Sequence, residues 1–324
     1  HHVAELRRSG LTDETSTAAG IYSEVAPANL AALLDWKKYP SKCAPAIVFP
    51  FSTPNGRNGY CRVKPDRPRQ CGGKAVKYES PKGQPNQVYL PPGVGDVLAD
   101  PTRVLLVTEG EKKSLCASQY GFPCLGLVGV FGCKEKNRES LLPALERVAW
   151  KDRPVYIVFD SDIATKEDVQ DAEARLACHL KNRGARVKVC RIPEGGADTK
   201  QGVDDYIVAQ TAAGVDPKKV IRDLLDSAEE PAPPTAIEMK MPAREIDAGP
   251  EADAFLDRAR TDGVSRLRFW RGAWFHWTRS AYAEIQPAEA RGELVKHLDM
   301  RFANLTASAT GNVLDVLRAK AMLR

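Results

Sequence analysis

Three features are missing from the sequence, and each absence excludes a class of protein. No apolar run approaches the length of a membrane span and no signal peptide opens the chain, so we expect a cytoplasmic protein. The eight cysteines include no Cys-x-x-Cys pair, so we expect reduced, mostly buried thiols and no structural zinc. The motif Gly-x-x-x-x-Gly-Lys-Ser/Thr is also absent, so we expect no ATP-driven motor within these residues.

Two short apolar runs, each followed by acidic residues, organise the chain. The first run, 104–108, leads to Glu109, and the second, 155–159, leads to Asp160 and Asp162. Both runs are rich in β-branched residues, which is typical of strands buried on both faces of a parallel sheet. Ligands bind beyond the carboxyl ends of such strands, so these three carboxylates lie where chemistry is expected.

The three carboxylates favour a metal site. They have no basic residue beside them in sequence and would repel one another if left unpaired. A hard divalent cation with oxygen ligands, Mg²⁺ or Mn²⁺, resolves the repulsion, and substrate phosphates commonly complete its coordination. The pattern therefore predicts phosphoryl transfer on nucleotides or nucleic acid. Glu111 stands just before a helical stretch, 112–120, and we interpret it as a helix-capping acid.

At these residues the sequence resembles a known family. A strand closed by Glu-Gly and a later one closed by Asp-x-Asp resemble the toprim domain of bacterial-type primases, topoisomerases and some nucleases. The stretch Thr108–Leu115 is similar to toprim domains of phage- and plasmid-encoded primase–helicases. The resemblance implies that Glu109, Asp160 and Asp162 are the catalytic and metal-binding residues. The chain departs from many bacterial primases at Lys113, where they have an acidic residue.

The region before the first run is predicted to contain helices over 1–40 and then a hairpin. Residues 47–51 and 59–63 read as its strands, with a turn at Asn55-Gly56. The two residues His1-His2 carry no predicted role.

A basic stretch follows the hairpin. Residues 57–82 hold eight basic residues against two acidic ones, which is typical either of a solvated loop face or of a groove that follows phosphates. Tyr60 and Tyr78 are available there for base stacking. The stretch resembles the lobe that precedes toprim in bacterial primases, with Val76 in place of a proline. That resemblance implies that template or nucleotide is held by Arg62, Lys77, Tyr78 and, within the toprim motif, Lys112.

Strands and helices alternate from residue 104 onward, which predicts a parallel sheet with right-handed crossovers. The predicted elements after the first run are a helix at 111–120, a strand at 124–128, a helix at 140–150, a strand at 154–159, a helix at 166–183 and a strand at 186–192. A later helix begins near Asp204 and Asp205. Asp204 is there either a helix cap or, as toprim primases imply for both aspartates, an auxiliary acidic residue of the site.

The end of the chain has a different composition. Residues 228–253 are rich in proline, alanine and acidic residues, and we interpret them as a linker. Residues 255–324 hold twelve Lys/Arg against seven Asp/Glu and three of the five tryptophans. They predict a hairpin that turns at Arg271-Gly272, followed by a basic helix. The tryptophans form either the core of a small domain or a surface that stacks on DNA.

Four regions are therefore expected: a helical and basic β lobe (1–100), a toprim catalytic domain (101–227), a linker (228–253) and a basic, Trp-rich module (254–324). The fold class is α/β, with a toprim parallel sheet flanked by helices, preceded by a basic α+β primase lobe and followed by a small α+β module. That last module is similar to the one just upstream of the helicase motor in phage and plasmid primase–helicases.

We therefore expect a DNA primase of phage or plasmid replication in a bacterial cytoplasm. It would make short RNA primers on single-stranded DNA from nucleoside triphosphates, with Mg²⁺ or Mn²⁺. Its partner would be a replicative helicase, either in the same longer polypeptide or in trans. We expect no membrane partner. The alternatives are a toprim nuclease that uses the same carboxylates and a non-catalytic DNA-binding or helicase-loading module. A topoisomerase is disfavoured because we find no candidate catalytic tyrosine on a separate domain.

Overall fold

The chain forms two compact units, residues 1–233 and residues 234–324. The structure is a computed structural model, and it describes residues 1–53, 56–134, 141–193, 200–233, 241–243, 246–261 and 264–322. Among these residues, no helix is both long and apolar enough to cross a membrane.

The first unit begins with short helices and a small antiparallel sheet. The helices are α1 (His2–Arg8), α2 (Asp13–Ala18) and α3 (Pro27–Leu33). The strands are β1 (Tyr22–Glu24), β2 (Ala46–Thr53), β3 (Gly56–Pro65), β4 (Gln70–Cys71) and β5 (Lys74–Ala75). Strand β2 lies between β1 and β3, which confirms the predicted hairpin. Asn55 of the predicted turn lies outside the described residues.

A four-stranded parallel sheet forms the middle of this unit. Its elements in chain order are β6 (Leu105–Glu109), α4 (Glu111–Gln119), β7 (Cys124–Leu127), α5 (Pro143–Glu146), β8 (Pro154–Val158), α6 (Glu167–Lys181) and β9 (Arg186–Val189). The strand order is β7-β6-β8-β9, and each neighbouring pair is parallel. Helices α7 (Val203–Ala212) and α8 (Pro217–Asp226) follow. The predicted α/β class, a parallel sheet flanked by helices, is confirmed.

Both faces of the parallel sheet are covered, because successive side chains of a strand point to opposite sides. Leu105 and Val107 of β6 enter a core that they share with α6. Leu106, between them, enters a second core with α4, α7 and α8. This second core also contains Leu6 and Phe49, so the N-terminal helices and hairpin share one hydrophobic core with the sheet.

Two predicted elements are shorter in the structure. The helix expected over 140–150 is reduced to α5, since the indole N–H of Trp150 donates to the Leu145 carbonyl at 2.7 Å, at the end of the helix. The strand expected over 186–192 ends at Val189, which pairs with Ile157 of β8 on one side and with Glu229 on the other.

His2 has a packing role that its place in the sequence did not indicate. Its side chain is buried, with Nδ1 2.6 Å from the Ser23 hydroxyl and Nε2 2.7 Å from Asp66 Oδ1. These two hydrogen bonds join α1 to β1 and to the residue that follows β3. The expectation that His2 has no role is therefore wrong, since its buried side chain joins these elements.

The second unit is a small α+β module. Its elements are β10 (Met241–Pro242), α9 (Ala248–Arg258), β11 (Arg260–Thr261), β12 (Val264–Ser265), β13 (Leu267–Trp270), β14 (Ala273–Trp277), β15 (Tyr282–Ile285), α10 (Pro287–Asp299), β16 (Phe302–Ala303) and α11 (Ala307–Ala321). Strands β13, β14 and β15 form an antiparallel sheet. Side chains of α9, α10, α11 and this sheet share one core.

The tryptophan-rich hairpin of this module turns where the sequence predicts. Arg271 and Gly272 join β13 to β14, and both have positive φ, as tight hairpin turns require. Trp274 is 1% exposed and belongs to the core. Trp270 is 44% exposed, with the Arg271 guanidinium 4.5 Å from its ring centre. One of these tryptophans is therefore structural, while another lies on the surface.

Packing between the N-terminal helices and the sheet helices is tightest at Gly10. A Cβ atom at Gly10 would lie 2.9 Å from Val208 Cγ2 and 3.1 Å from Cys116 Sγ, and its φ is +73°. Gly93 has a similar φ of +78°, but a Cβ there would have no atom within 4 Å.

Alanine at either glycine tests this packing. Gly10→Ala and Gly93→Ala should both lose roughly 1–2 kcal/mol of stability through backbone strain, and Gly10→Ala should lose about 1–3 kcal/mol more through overpacking. Urea unfolding of the two variants measures the difference; equal losses of stability would contradict this packing.

Candidate active site

The three predicted metal ligands lie at one edge of the parallel sheet. Glu109 is the last residue of β6, and Asp160 and Asp162 follow β8, the neighbouring strand. The two strands are in register with Thr108 opposite Val158. The Thr108 hydroxyl donates to the Val158 carbonyl at 2.7 Å, which joins the strands where the acidic residues begin.

Three lysine side chains lie against the two aspartates, and two of them come from distant positions in the sequence. Lys113 of α4 and Lys200 approach Asp160, with Nζ–oxygen distances of 2.6 and 2.8 Å. Lys200 also lies 3.2 Å from Asp162, and Lys166 lies 2.6 Å from the same carboxylate. Burial alone raises the pKa of Asp162, but these two lysines outweigh burial and hold that pKa below its ordinary value. The carboxylates are thus partly neutralised by residues that are not their sequence neighbours.

Burial and charge act in opposite directions on Lys200 as well. Burial by itself lowers the pKa of its ammonium group, while Asp160 and Asp162 raise it, and the net pKa is raised. Lys200 therefore stays charged beside both aspartates throughout the physiological pH range.

The carboxylates at this edge are the oxygen donors that a hard divalent cation prefers, although they do not converge on one point. We searched the described residues for His, Cys, Asp or Glu side chains with three ligand atoms within 4.8 Å of one another. His1, His2 and Asp66 form such a group, whereas Glu109, Asp160 and Asp162 do not. Asp160 is nonetheless 3% exposed, so its charge lies in a poorly solvated place.

A buried oxygen of Asp204 that accepts no hydrogen bond also favours a bound cation. Asp204 Oδ1 is buried and has no hydrogen-bond partner among the described residues. Buried carboxylate oxygens without partners are costly, and Mg²⁺ or Mn²⁺ prefers such ligands. The oxygen donors of these residues therefore fit a divalent cation, which would displace the exposed ammonium groups of Lys166 and Lys200.

Helix α7 supplies two further acidic residues in different roles. Gly202 is its N-cap and donates its N–H to Asp205 Oδ2 at 3.1 Å, so Asp205, and not Asp204, completes the cap. The Ser161 N–H donates to the Gln201 carbonyl at 2.9 Å, which fixes the start of α7 beside the loop after β8. Asp204 is buried, and burial, with the nearby charge of Asp205, raises the pKa of its carboxyl.

A buried ion pair connects the hairpin to α4. Arg62 of β3 donates to Glu111 Oε1 at 2.8 Å, and their side chains are 13% and 1% exposed. The Arg62 guanidinium lies 4.6 Å from the Tyr78 ring centre. Glu111 is in the first turn of α4, as expected, but its buried partner gives it a tertiary role that a simple capping acid lacks.

A cavity of about 250 Å³ lies between these groups. It is lined by Arg62, Tyr78, Glu109, Gly110, Glu111, Lys112, Lys113, Val128, Gly129 and Asp204. The structure thus brings the predicted nucleotide- or template-binding residues Arg62, Tyr78 and Lys112 to the same cavity as Glu109. Lys77 is not among the lining residues; its side chain is exposed next to Tyr78.

The basic stretch 57–82 is only partly available for phosphates. Arg62, Lys64 and Arg69 pair with Glu111, Glu5 and Glu79 respectively. Arg67, Lys74, Lys77 and Lys82 have exposed side chains.

The expectation that Tyr60 is available for base stacking is wrong. Its ring is 2% exposed and packs edge-on against Phe51, with centres 4.9 Å apart. It belongs to the core that the hairpin shares with the parallel sheet. Tyr60 lies on the same side of β3 as Arg62, so its inward orientation is set by tertiary packing against Phe51 and not by the local sequence pattern.

Sequence reasoning missed the cations that face the aspartates. Lys166 stands four residues after Asp162, a spacing that could have indicated the pair. The sequence singled out Lys113 only because many bacterial primases have an acidic residue there, and it gave no sign that Lys113 pairs with Asp160. Lys200 meets Asp160 only through the fold, and no local pattern could have identified it.

Two comparisons concern the sequence. A family model described as a domain of unknown function, DUF3854, matches residues 95–213, which is less than half of the chain. An uncharacterized protein of Picosynechococcus sp. is 26% identical over 248 residues, covering 68% of this chain and 24% of that protein. The chain thus spans about a quarter of the length of this relative.

Similar solved structures include three bacterial primases. A DNA primase domain from Pseudomonas aeruginosa gives a TM-score of 0.49 at 15% identity, covering 98% of this chain and 88% of that one. The Aquifex aeolicus primase, with zinc-binding and RNA polymerase domains, gives 0.48 at 13% identity over 98% and 66%. The E. coli primase catalytic core gives 0.46 at 14% identity over 99% and 90%. With TM-scores below 0.5, these similarities do not bear on function.

Removing one partner of the buried pair tests whether Arg62 is structural. Arg62→Met leaves the Glu111 carboxylate buried and unpaired, so we expect a loss of about 3–5 kcal/mol in the free energy of unfolding. The double variant Arg62→Met/Glu111→Gln should lose less than the single one, because the stranded charge is gone. Lys219→Met, which breaks the exposed pair with Asp223, is the control and should cost less than about 1 kcal/mol. Urea unfolding of the three variants measures these losses of stability. If Arg62→Met loses as little stability as Lys219→Met, Arg62 is not held by Glu111.

Proposed function

We propose that this protein is a DNA primase, a metal-dependent nucleotidyltransferase that joins ribonucleotides into short primers on single-stranded DNA. The observation that carries the proposal is the placement of Glu109, Asp160 and Asp162 at one sheet edge, with Glu109 lining a cavity that cationic side chains also line. The toprim-like motifs at these residues favour nucleotidyl transfer over other uses of three carboxylates.

In the proposed reaction, a 3′-hydroxyl oxygen forms a bond to the α-phosphorus of the incoming triphosphate. The bond from that phosphorus to the bridging oxygen breaks, pyrophosphate leaves, and the hydroxyl proton passes to water. Glu109, Asp160 and Asp162 would hold the divalent cation, which supplies stabilisation of the negative charge on the phosphate oxygens. Asp204, at the start of α7, is the auxiliary acidic residue that borders the same cavity.

The cations at the cavity and beside it are suited to the substrates. Lys112 lines the cavity with its Nζ 3.5 Å from Glu5 Oε1, and it would turn from that carboxylate to a phosphate of the nucleotide. Exposed Lys77 is suited to the template backbone, and Tyr78 provides a partly exposed ring beside it. Arg62 acts indirectly, since its guanidinium covers Tyr78 and pairs with Glu111.

The wider context belongs to the same proposal. We assign residues 1–100 to the template-binding lobe, 101–227 to the catalytic domain, 228–253 to the linker and 254–324 to a module next to a replicative helicase. The helicase would be fused in a longer polypeptide or act in trans, during phage or plasmid replication. The exposed Trp270, with Arg271 against its ring, is suited to the strand that passes between the two activities.

Metal-dependent incorporation of labelled ribonucleotides on a single-stranded template tests the reaction. We expect Glu109→Gln and Asp160→Asn to abolish synthesis, because each removes a negatively charged ligand of the cation. Both should bind single-stranded DNA as well as the wild type or slightly better, because a carboxylate that repels phosphate is lost. Asp223→Asn, an exposed change on α8, is the matched control and should retain full synthesis.

The same assay separates the alternatives. A nuclease would release short products from DNA without nucleotides, and a non-catalytic module would do neither while still binding DNA. Full synthesis by Glu109→Gln or Asp160→Asn in Mg²⁺ would remove these residues from the active site.

Salt dependence tests the proposed template contacts. Lys77→Gln and Lys82→Gln should each weaken binding to all single-stranded sequences and reduce the slope of log affinity against log salt by about 0.7, the value for one lost phosphate contact. Lys218→Gln on α8 is the control with the same charge change and should leave the slope unaltered. Equal slopes in all of these variants and the wild type would place Lys77 and Lys82 outside the contact surface.

A further inference from the structure

Lys113 is held against Asp160 more firmly than an exposed ion pair. Its Nζ donates to Asp160 Oδ2 at 2.8 Å and lies 2.6 Å from Oδ1, so the ammonium group faces both oxygens. The side chains of Lys113 and Asp160 are 20% and 3% exposed. A pair with so little water around it is weakly screened, and its charges attract each other strongly.

Gly202 makes room for this lysine. A Cβ atom at Gly202 would lie 2.6 Å from Lys113 Cε, 2.7 Å from Asp204 Oδ1 and 3.3 Å from Asp160 Oδ1. The φ of Gly202 is −89°, which any residue adopts, so the backbone conformation does not require glycine there. The requirement is space, because the lysine stem passes between the start of α7 and Asp160.

The other two lysines are held differently. Lys200 and Lys166 are 51% and 52% exposed at their side chains; both contact Asp162, and Lys200 also lies 2.8 Å from Asp160. Exposed pairs contribute little to stability and exchange readily with other cations. Of the three lysines, Lys113 has the least exposed side chain, and its Cε lies where a Cβ atom on Gly202 would clash.

We propose that Lys113 serves as a fixed cation of the active site, in the position beside Asp160 that a second divalent ion would otherwise occupy. The inference rests on the proposed function. The site then takes one divalent cation, bound by Glu109 and Asp162 with Asp160, after Lys200 and Lys166 move away. The Lys113 ammonium remains and supplies positive charge toward the triphosphate as a point charge.

The charge at position 113 determines how many cations fit beside Asp160. An acidic residue there would add a ligand for a further cation. A lysine at that position replaces the ligand and the ion together, which leaves a similar net charge beside Asp160.

The number of Mn²⁺ ions bound per chain, counted by electron paramagnetic resonance of the free ion, tests the proposal. We expect one ion for the wild type, lost in Asp160→Asn, and two ions for Lys113→Asp. Lys218→Asp makes the same charge change on exposed α8 and should still bind one. Lys113→Gln guards against misfolding of the aspartate variant; without the ammonium repulsion it should bind its ion at least about tenfold more tightly than the wild type.

The outcomes separate this inference from the proposed function. The role of Lys113 would be overturned if the wild type bound two ions and Asp160→Asn lost both. It would also be overturned if both Lys113 variants bound the same number of ions as the wild type with the same affinity. Either result would leave the metal site intact. No Mn²⁺ binding that depends on Asp160 would instead overturn the metal site itself.

Discussion

Carboxylates that meet at the edge of a sheet repel one another, and the first unit is arranged around this repulsion. Glu109, Asp160 and Asp162 are placed there by two adjacent parallel strands, and Asp204 is added by α7. Lysines from α4 and from two loops offset the charge. Each of these elements is in turn held by core packing, so the charge balance is fixed by parts of the chain far apart in sequence.

Much of this arrangement could be predicted from the sequence. Apolar runs of five residues with acidic ends specify buried strands and the sheet edge to which Glu109 and Asp160 belong, because both signals are local. The turn at Arg271-Gly272 is likewise local, since Gly272 accepts a positive φ and stands between two aromatic-rich runs that form the strands. The parallel order of the strands follows from the alternation of strands and helices.

What could not be predicted depends on contacts between distant segments. The Arg62–Glu111 pair joins residues separated by 49 positions, and no pattern in either segment indicates it. The inward orientation of Tyr60 depends on which face of the hairpin the core covers. Gly202 resembles an ordinary loop glycine in sequence, and only the positions of the Lys113 and Asp204 side chains explain why a larger residue would not fit.

One consequence follows from the core shared by the hairpin and the parallel sheet. Leu6 and Phe49 pack in the same cluster as Leu106 and Ile207, and close-packed interiors do not deform without loss of contacts. The N-terminal helices and hairpin therefore cannot separate from the parallel sheet without exposing this core. In the proposed reaction, a primer would then advance without a hinge opening between these two parts of the first unit.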